Sequence, residues 1–214
     1  MKTTTKQILT ETLERYPALA VCESDILSVY QTLYTCFASG HRLYLCGNGG
    51  SAADCEHIAG ELLKSFKKCR PLSAELMEGL KMQGGRGQVL IENLQGGLPT
   101  VSLCGHTAFS TAFQNDCDPM FVFAQQVGAW GQEGDVLLTL STSGNSKNCI
   151  YAVTVAKAKK MSVVALLGGN GGALKDMADA SVVAPEKETY KVQELHLPIY
   201  HCLCAMLEAE FFGA

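Results

Sequence analysis

The chain alternates short apolar runs with longer stretches in which apolar positions recur every three or four residues. The runs Leu43–Cys46, Thr100–Cys104, Val136–Leu140, Ser162–Leu167 and Ser181–Ala184 each read as a strand. Val136–Leu140 is the most apolar, as expected in the middle of a parallel sheet. Helical patterns lie between them: Ala108–Phe113, a stretch ending at Trp130, Asn148–Lys159 and Ala173–Met177. Two more, Thr4–Tyr16 and Glu23–Ser39, precede the first strand, joined around Pro17 and closed by Gly40. Their apolar faces are broad enough to cover the sheet or to dock on another subunit. Lys191–Phe211 reads as a long C-terminal helix, apolar nearly all round and interrupted by Pro198. The alternation predicts one α/β domain over 1–214, a doubly wound parallel sheet flanked by helices with ligand loops at its carboxyl edge. The segment 71–99 resists this scheme, with Gly at 79, 84, 85, 87, 96 and 97. Glu75–Met82 fits a short helix, and Gln88–Leu94 an added strand or a mobile flap.

The stretch Leu43–Arg70 organises the pattern. The strand runs into Gly47-Asn48-Gly49-Gly50-Ser51 and then a helix. Its apolar stripe is Cys55, Ile58, Ala59, Leu62, Leu63 and Phe66. His57 and Glu61 lie off that stripe, one turn apart. A glycine-rich turn opening a helix gathers free N–H groups at the positive end of the dipole, which suits phosphate. A second loop of this kind, Ser141-Thr142-Ser143-Gly144-Asn145-Ser146, follows the most apolar strand. It carries four hydroxyls, whereas capping one helix needs only one. Phosphate held there rests on neutral hydrogen bonds and the dipole, without a lysine fork. GxxxxGK[ST] is absent and GNGGSAA is not GxGxxG, so no nucleotide cofactor is expected.

His57 and Glu61 have two readings: a solvated pair continued by Lys64 and Lys68, or proton chemistry and metal binding. His201, within the C-terminal helix, and Gln193, two turns earlier, extend the second. His57, Glu61, Gln193 and His201 offer two imidazoles, a carboxylate and an amide oxygen, a donor set suited to a divalent metal. A histidine in such a helix also serves as a packed core residue, the reading taken for His196. His41 and His106 read as surface or structural. Asn115-Asp116, in the polar link Gln114–Pro119, fits sugar-hydroxyl recognition or an Asx turn or cap.

Composition narrows the partners. The net charge is −4 and the basic runs Lys67-Lys68 and Lys159-Lys160 are only doublets, so no nucleic acid is expected. No apolar run approaches a membrane span, and the polar N-terminus reads as an amphipathic helix, not a signal peptide; the expected location is cytoplasmic. Of the ten cysteines, Cys46, Cys104, Cys202 and Cys204 sit in apolar segments, and no CxxC pair occurs. Buried free thiols are expected, not a disulfide framework.

GNGGS with His57 and Glu61, Asn115-Asp116, EGDVLLTLSTSGNS (Glu133–Ser146), and Gln193-Glu194-Leu195-His196 with His201 together resemble the SIS-domain phosphoheptose isomerases. The likeness runs from Leu43 to Leu207. It implies an SIS-type, flavodoxin-like three-layer fold and a homotetramer built with the N-terminal helices, whose active sites borrow residues from neighbouring subunits. It implies isomerisation of sedoheptulose 7-phosphate to D-glycero-D-manno-heptose 7-phosphate, the entry step of heptose supply for bacterial surface polysaccharide. Ser141, Thr142, Ser143 and Ser146 would hold the phosphate. Asn48, Gly49, Gly50, Ser51, Asn115, Asp116 and Gln193 would contact the sugar. Glu61 and His201 would be the acid/base pair, and His57, Glu61, Gln193 and His201 the ligands of one zinc ion per subunit.

The chain departs from that family in three places. The segment 71–99 is longer than the usual connection, Lys64-Ser65 stands where Gly-Arg is common, and Tyr190 where an aspartate is often found. Ala52-Ala53 and Cys202-Leu203-Cys204 resemble a non-catalytic SIS branch that regulates replication initiation. Its members typically lack the glutamate and histidine kept here at 61 and 201. A phosphosugar-sensing domain without turnover is the third reading.

Overall fold

A five-stranded parallel sheet divides the apolar residues between two cores. The computed structural model describes residues 1–213. The strands are β1 (Leu43–Gly47), β2 (Thr100–Ser102), β3 (Val136–Ser141), β4 (Ser162–Leu167) and β5 (Ala180–Val183), in the order β2-β1-β3-β4-β5. Period-two alternation sends Leu43, Leu45, Leu138 and Leu166 into one core, and Tyr44, Cys46, Leu137 and Ala165 into the other. The helices are α1 (Thr3–Arg15), α2 (Glu23–Ala38), α3 (Gly50–Leu63), α4 (Ala74–Lys81), α5 (Gly84–Asn93), α6 (Thr107–Asp116), α7 (Val122–Trp130), α8 (Lys147–Ala158), α9 (Gly172–Met177) and α10 (Thr189–Phe212). α1, α2, α3 and α10 close the first core; α6 to α9 close the second. The result is the expected three-layer, doubly wound sheet. The chain leaves β1 for β2 on one side and returns to β3 on the other, so the loops after β1 and β3 flank the topological switch point.

Within the subunit the N-terminal helices are sheet cover: α2 buries Ile26, Val29 and Leu33 in the first core, and α1 packs along α10. The cysteines are free thiols, with only Cys69 and Cys117 exposed and Cys104 half-buried. Among the described residues no helix is long and apolar enough to cross a membrane.

Four local expectations are corrected. Gln88–Leu94 is not a strand: Gly84–Asn93 is helix α5, packed on α4 where Gly87 crosses the Leu80 carbonyl. Its Gln88–Glu92 side-chain bond (2.8 Å) is an i,i+4 pair that favours helix. Asn115 and Asp116 are not in a link but in the last turn of α6. Pro198 does not interrupt α10, which runs unbroken for 24 residues. The proline forfeits one helical hydrogen bond, and burial of the turns on both sides holds the helix through it. The stripe of α3 stops early: the helix ends at Leu63, which is 52% exposed, and Phe66 reaches the core from the following loop.

That last correction has a specific cause. Arg70 and Glu208, each 1% exposed, pair at 2.8 Å between the loop after α3 and helix α10. The guanidinium donates to the carbonyls of Leu62 (2.7 Å) and Glu61 (2.8 Å), capping α3. The Glu208 carboxylate accepts the backbone N–H groups of Phe66, Lys67 and Lys68 at 2.8, 2.8 and 3.1 Å. Replacing Glu208 by Leu leaves the guanidinium buried without its counter-charge and is expected to cost about 3–5 kcal/mol in urea unfolding. A loss below about 1 kcal/mol, the surface-pair level, would refute this role.

Candidate active site

The loop after β1 brings the backbone of α3 close to α10. Gly49, at φ 56°, turns the chain into the helix, which has no side-chain cap; the N–H groups of Ser51 and Ala52 bend back to the carbonyls of Asn48 and Gly49 at 3.0 Å each. A Cβ on Gly50 would stand 2.5 Å from Gln193 Nε2, so only glycine lets the Gln193 amide approach. Across the switch point, Asn48 and Asn148 exchange two side-chain hydrogen bonds (2.9 and 2.8 Å), stapling the two loops together. Between them lies a cavity of about 300 Å³, lined by Asn48, Gly49, Gly50, Ser51, Leu140, Ser141, Thr142, Ser146, Thr189 and Gln193.

The hydroxyls of the second loop divide their work. Ser146 is the residue preceding α8, yet its side chain makes no cap bond among the described residues. It lies 2.9 Å from Ser141 Oγ instead, inside the cavity. Ser143 is exposed and turned into the loop, where Asn145 N–H donates to it at 3.2 Å; it does not line the cavity. The cavity thus collects hydroxyls and the N-terminal ends of α3 and α8, an arrangement that attracts an anion through dipoles and neutral donors.

One to three turns along α3 stands a cluster of titratable side chains. His57 Nε2 lies 3.3 Å from Glu61 Oε1 and 3.4 Å from His201 Nε2, so α3 and α10 bring together three residues from distant parts of the chain. Glu61 Oε2 is buried with no hydrogen-bond partner among the described residues; the Lys64 ammonium is 3.7 Å away. Burial, and then neighbouring His57, push the His201 imidazole below its ordinary value, favouring the neutral ring at pH 7. Behind His57, the Tyr200 hydroxyl lies 3.0 Å from Nδ1 and donates to Asp54 Oδ1 at 3.1 Å. Burial, then the Asp54 charge, push the Tyr200 phenol well above its usual range.

Among the described residues, no group of three or more His, Cys, Asp or Glu side chains is arranged to hold a metal ion. The distances around His57 still suit part of a zinc site. Separations of 3.3 and 3.4 Å are those between neighbouring corners of a tetrahedron with bonds of about 2.0–2.1 Å. Two imidazoles and a carboxylate with an unpartnered buried oxygen also match zinc's ligand chemistry. Gln193 is turned to Gly50 and the cavity, about 12 Å of helix rise from His201.

Of the other expected residues, Asn115 and Asp116 are exposed, bond each other at 2.9 Å and do not line the cavity of their own subunit. His196 is buried with Nε2 3.0 Å from the Leu167 carbonyl oxygen, a core residue as expected. Sequence reasoning missed Asn148, Thr189, Asp54 and Tyr200. Asp54, at i−3 from His57, carried a signal of spacing; Tyr200 resembled any other apolar position of α10.

The SIS domain model matches residues 10–96 and 91–168. A phosphoheptose isomerase of Nitratiruptor sp. is 39% identical over 170 residues, 79% of this chain and 78% of the relative. One of Laribacter hongkongensis is 36% identical over 199 residues, 92% of this chain and 89% of the relative. The solved structure of the phosphoheptose isomerase GmhA from Neisseria gonorrhoeae shares the fold with a TM-score of 0.70 at 31% identity, covering 91% of this chain and 92% of that one. With the sheet, the switch-point cavity and these relatives in agreement, the chain belongs to the SIS-domain family, among its phosphoheptose isomerases.

Proposed function

We propose that this isomerase converts sedoheptulose 7-phosphate to D-glycero-D-manno-heptose 7-phosphate through an enediol, with Glu61 and His201 as the acid–base pair. The carrying observation is the meeting of Glu61 and His201 at His57 on the two helices that also supply Ser51 and Gln193 to the anion cavity. From Ser51 to His57 the helix rises about 9 Å. The extended carbon chain of a heptose 7-phosphate spans such a gap, from a phosphate in the cavity to C1 and C2 beside the pair.

The chemistry asks for one base, one acid and a stabilised oxyanion. One member of the pair removes a proton from C1 of the ketose while the oxygen on C2 takes up a proton, giving the enediol. The enediol loses its O1 proton and gains one on C2, leaving the aldehyde at C1. A neutral His201 is ready to accept a proton, and Glu61 and His201 can exchange roles between half-reactions. Ser141, Thr142 and Ser146 hold the phosphate with the helix N-termini, and Ser143 shapes the loop. Asn48, Gly49, Gly50, Ser51 and Gln193 orient the sugar. A zinc ion held by His57, Glu61 and His201 would act as a Lewis acid on the carbonyl oxygen; Gln193, turned into the cavity, stays with the sugar. Assembly is read as a homotetramer, in which the exposed Asn115 and Asp116 reach the sugar of a neighbouring subunit.

Incubation with sedoheptulose 7-phosphate, with and without Zn²⁺, is expected to yield the aldose. Glu61→Gln and His201→Ala should each lower kcat by at least about 100-fold. Undiminished turnover in both variants would remove the pair, and tight binding without product would favour a sensing role. Ser146→Ala removes one neutral phosphate bond of about 1 kcal/mol, so KM should rise about fivefold with kcat nearly unchanged. A fall in kcat at constant KM would place Ser146 elsewhere in the reaction. Sedimentation equilibrium should give four times the 22.9 kDa chain mass, and a monomer would refute the assembly.

A further inference from the structure

The hydroxyl of Tyr200 sits between a carboxylate and the imidazole at the centre of the proton-handling group, and the reaction described above gives it no task. Tyr200 is 1% exposed, and its ring stands edge-on to His57 (centroids 5.5 Å apart) and to His201 (4.9 Å). The hydroxyl has one proton, and the better acceptor within reach is the Asp54 carboxylate at 3.1 Å. With that proton committed, the phenolic oxygen faces His57 Nδ1 at 3.0 Å with lone pairs only. His57 must then carry its proton on Nδ1. Its Nε2 lone pair is left pointing at the space shared with His201 Nε2 and Glu61 Oε1. His57 Nε2 can then accept the Nε2–H of His201, or share with Glu61 Oε1 a cation, a proton in transit or a metal.

We propose that Tyr200, backed by Asp54, is a positioning residue of this isomerase: its hydroxyl oxygen accepts the Nδ1–H of His57 and so fixes the tautomer and ring angle that present Nε2 to His201 and Glu61. This inference rests on the isomerase reading for its kinetic consequence but not for the hydrogen-bond chain itself. Such partners of an active-site histidine are commonly worth 10–100-fold in metal affinity or activity. The ring of Tyr200 fills a buried slot, so Tyr200→Phe removes the hydroxyl and keeps the packing. Asp54→Ala acts differently. It frees the Tyr200 proton to be donated to Nδ1, which drives His57 to the opposite tautomer.

The experiment is ¹⁵N NMR of histidine-labelled protein at pH 8, where five histidines give a sparse spectrum and His57→Gln assigns the signal, alongside turnover of sedoheptulose 7-phosphate. Unaltered protein should show His57 protonated at Nδ1; Asp54→Ala should show it protonated at Nε2; Tyr200→Phe should lose the single tautomer. Both variants should lose about 10–100-fold in kcat with KM within about threefold. A chelator competition should show Zn²⁺ affinity falling by a similar factor. Unchanged spectra, or altered spectra with unchanged kcat, or reduced kcat with an unaltered tautomer, would each overturn the proposal. A lack of turnover by the unaltered protein would count against the isomerase reading instead, because the spectra read the hydrogen-bond chain without substrate.

Discussion

The buried Arg70–Glu208 pair ties the loop that ends α3 to α10, the two helices on which Glu61, His57 and His201 meet. Glu208 accepts four hydrogen bonds, three from backbone N–H groups and one from Arg70 Nε. Arg70 in turn caps two carbonyls at the end of α3. Every charge in the clamp is therefore met by several partners, which offsets the desolvation that burying two ions entails. An apolar pair of the same size would hold the helices together as well, but would let them slide. A slip by one turn, about 5.4 Å, would strand both charges and pull Glu61 away from His201. The clamp therefore holds the register in which Glu61, His57 and His201 meet.

The anion cavity is held by a second, weaker staple. Asn48 and Asn148 exchange amide hydrogen bonds across the switch point, so the N-termini of α3 and α8 keep a common focus. Neither Gly49 nor Ser146 caps its own helix with a side chain; in the first turn of α8 it is Asn148 Oδ1 that accepts the Cys149 N–H, at 3.0 Å. A lysine would bind phosphate more strongly, but as a mobile point charge; two helix ends and a few hydroxyls define a direction. From Ser51, His57 and Glu61 follow at about 9 and 15 Å of rise along α3.

Much of this was legible in the sequence, because period-two strands and period-3.6 helices leave different traces. The doubly wound sheet, the two hydroxyl- or glycine-rich loops and the long buried α10 follow from local pattern alone. So does the pairing of His57 with Glu61, which needs only a helix. The errors arose where long-range contacts overrode local pattern. Phe66 fits the α3 stripe, but Arg70 ends the helix before it. Pro198 looks like a break, but burial on both sides of it carries α10 through. Tyr200 was hidden because a polar atom at the tip of an aromatic ring leaves no mark on hydrophobic periodicity. Only the geometry reveals that its hydroxyl reaches Asp54 and His57.

The same clamp explains how the fold accommodates the 71–99 segment. Gly96 N–H donates to the Arg70 carbonyl at 2.9 Å, and Leu98 N–H to that of Leu62 at 2.8 Å. The two ends of the insertion are thus a hydrogen bond apart, and the α4–α5 hairpin leaves and returns at one point. Its cost to the subunit is a loop-closure term that grows only slowly with length. Gly97, where a Cβ would stand 2.6 Å from the Leu63 carbonyl oxygen, lets the returning strand pass against the end of α3. The returning end of the segment belongs to the same frame: Leu98 is buried in the first core, and the Gln95 side chain accepts the Ser65 N–H at 2.9 Å. A long segment can enter between the helix that carries Glu61 and strand β2 because its two ends are tied together beside the clamp.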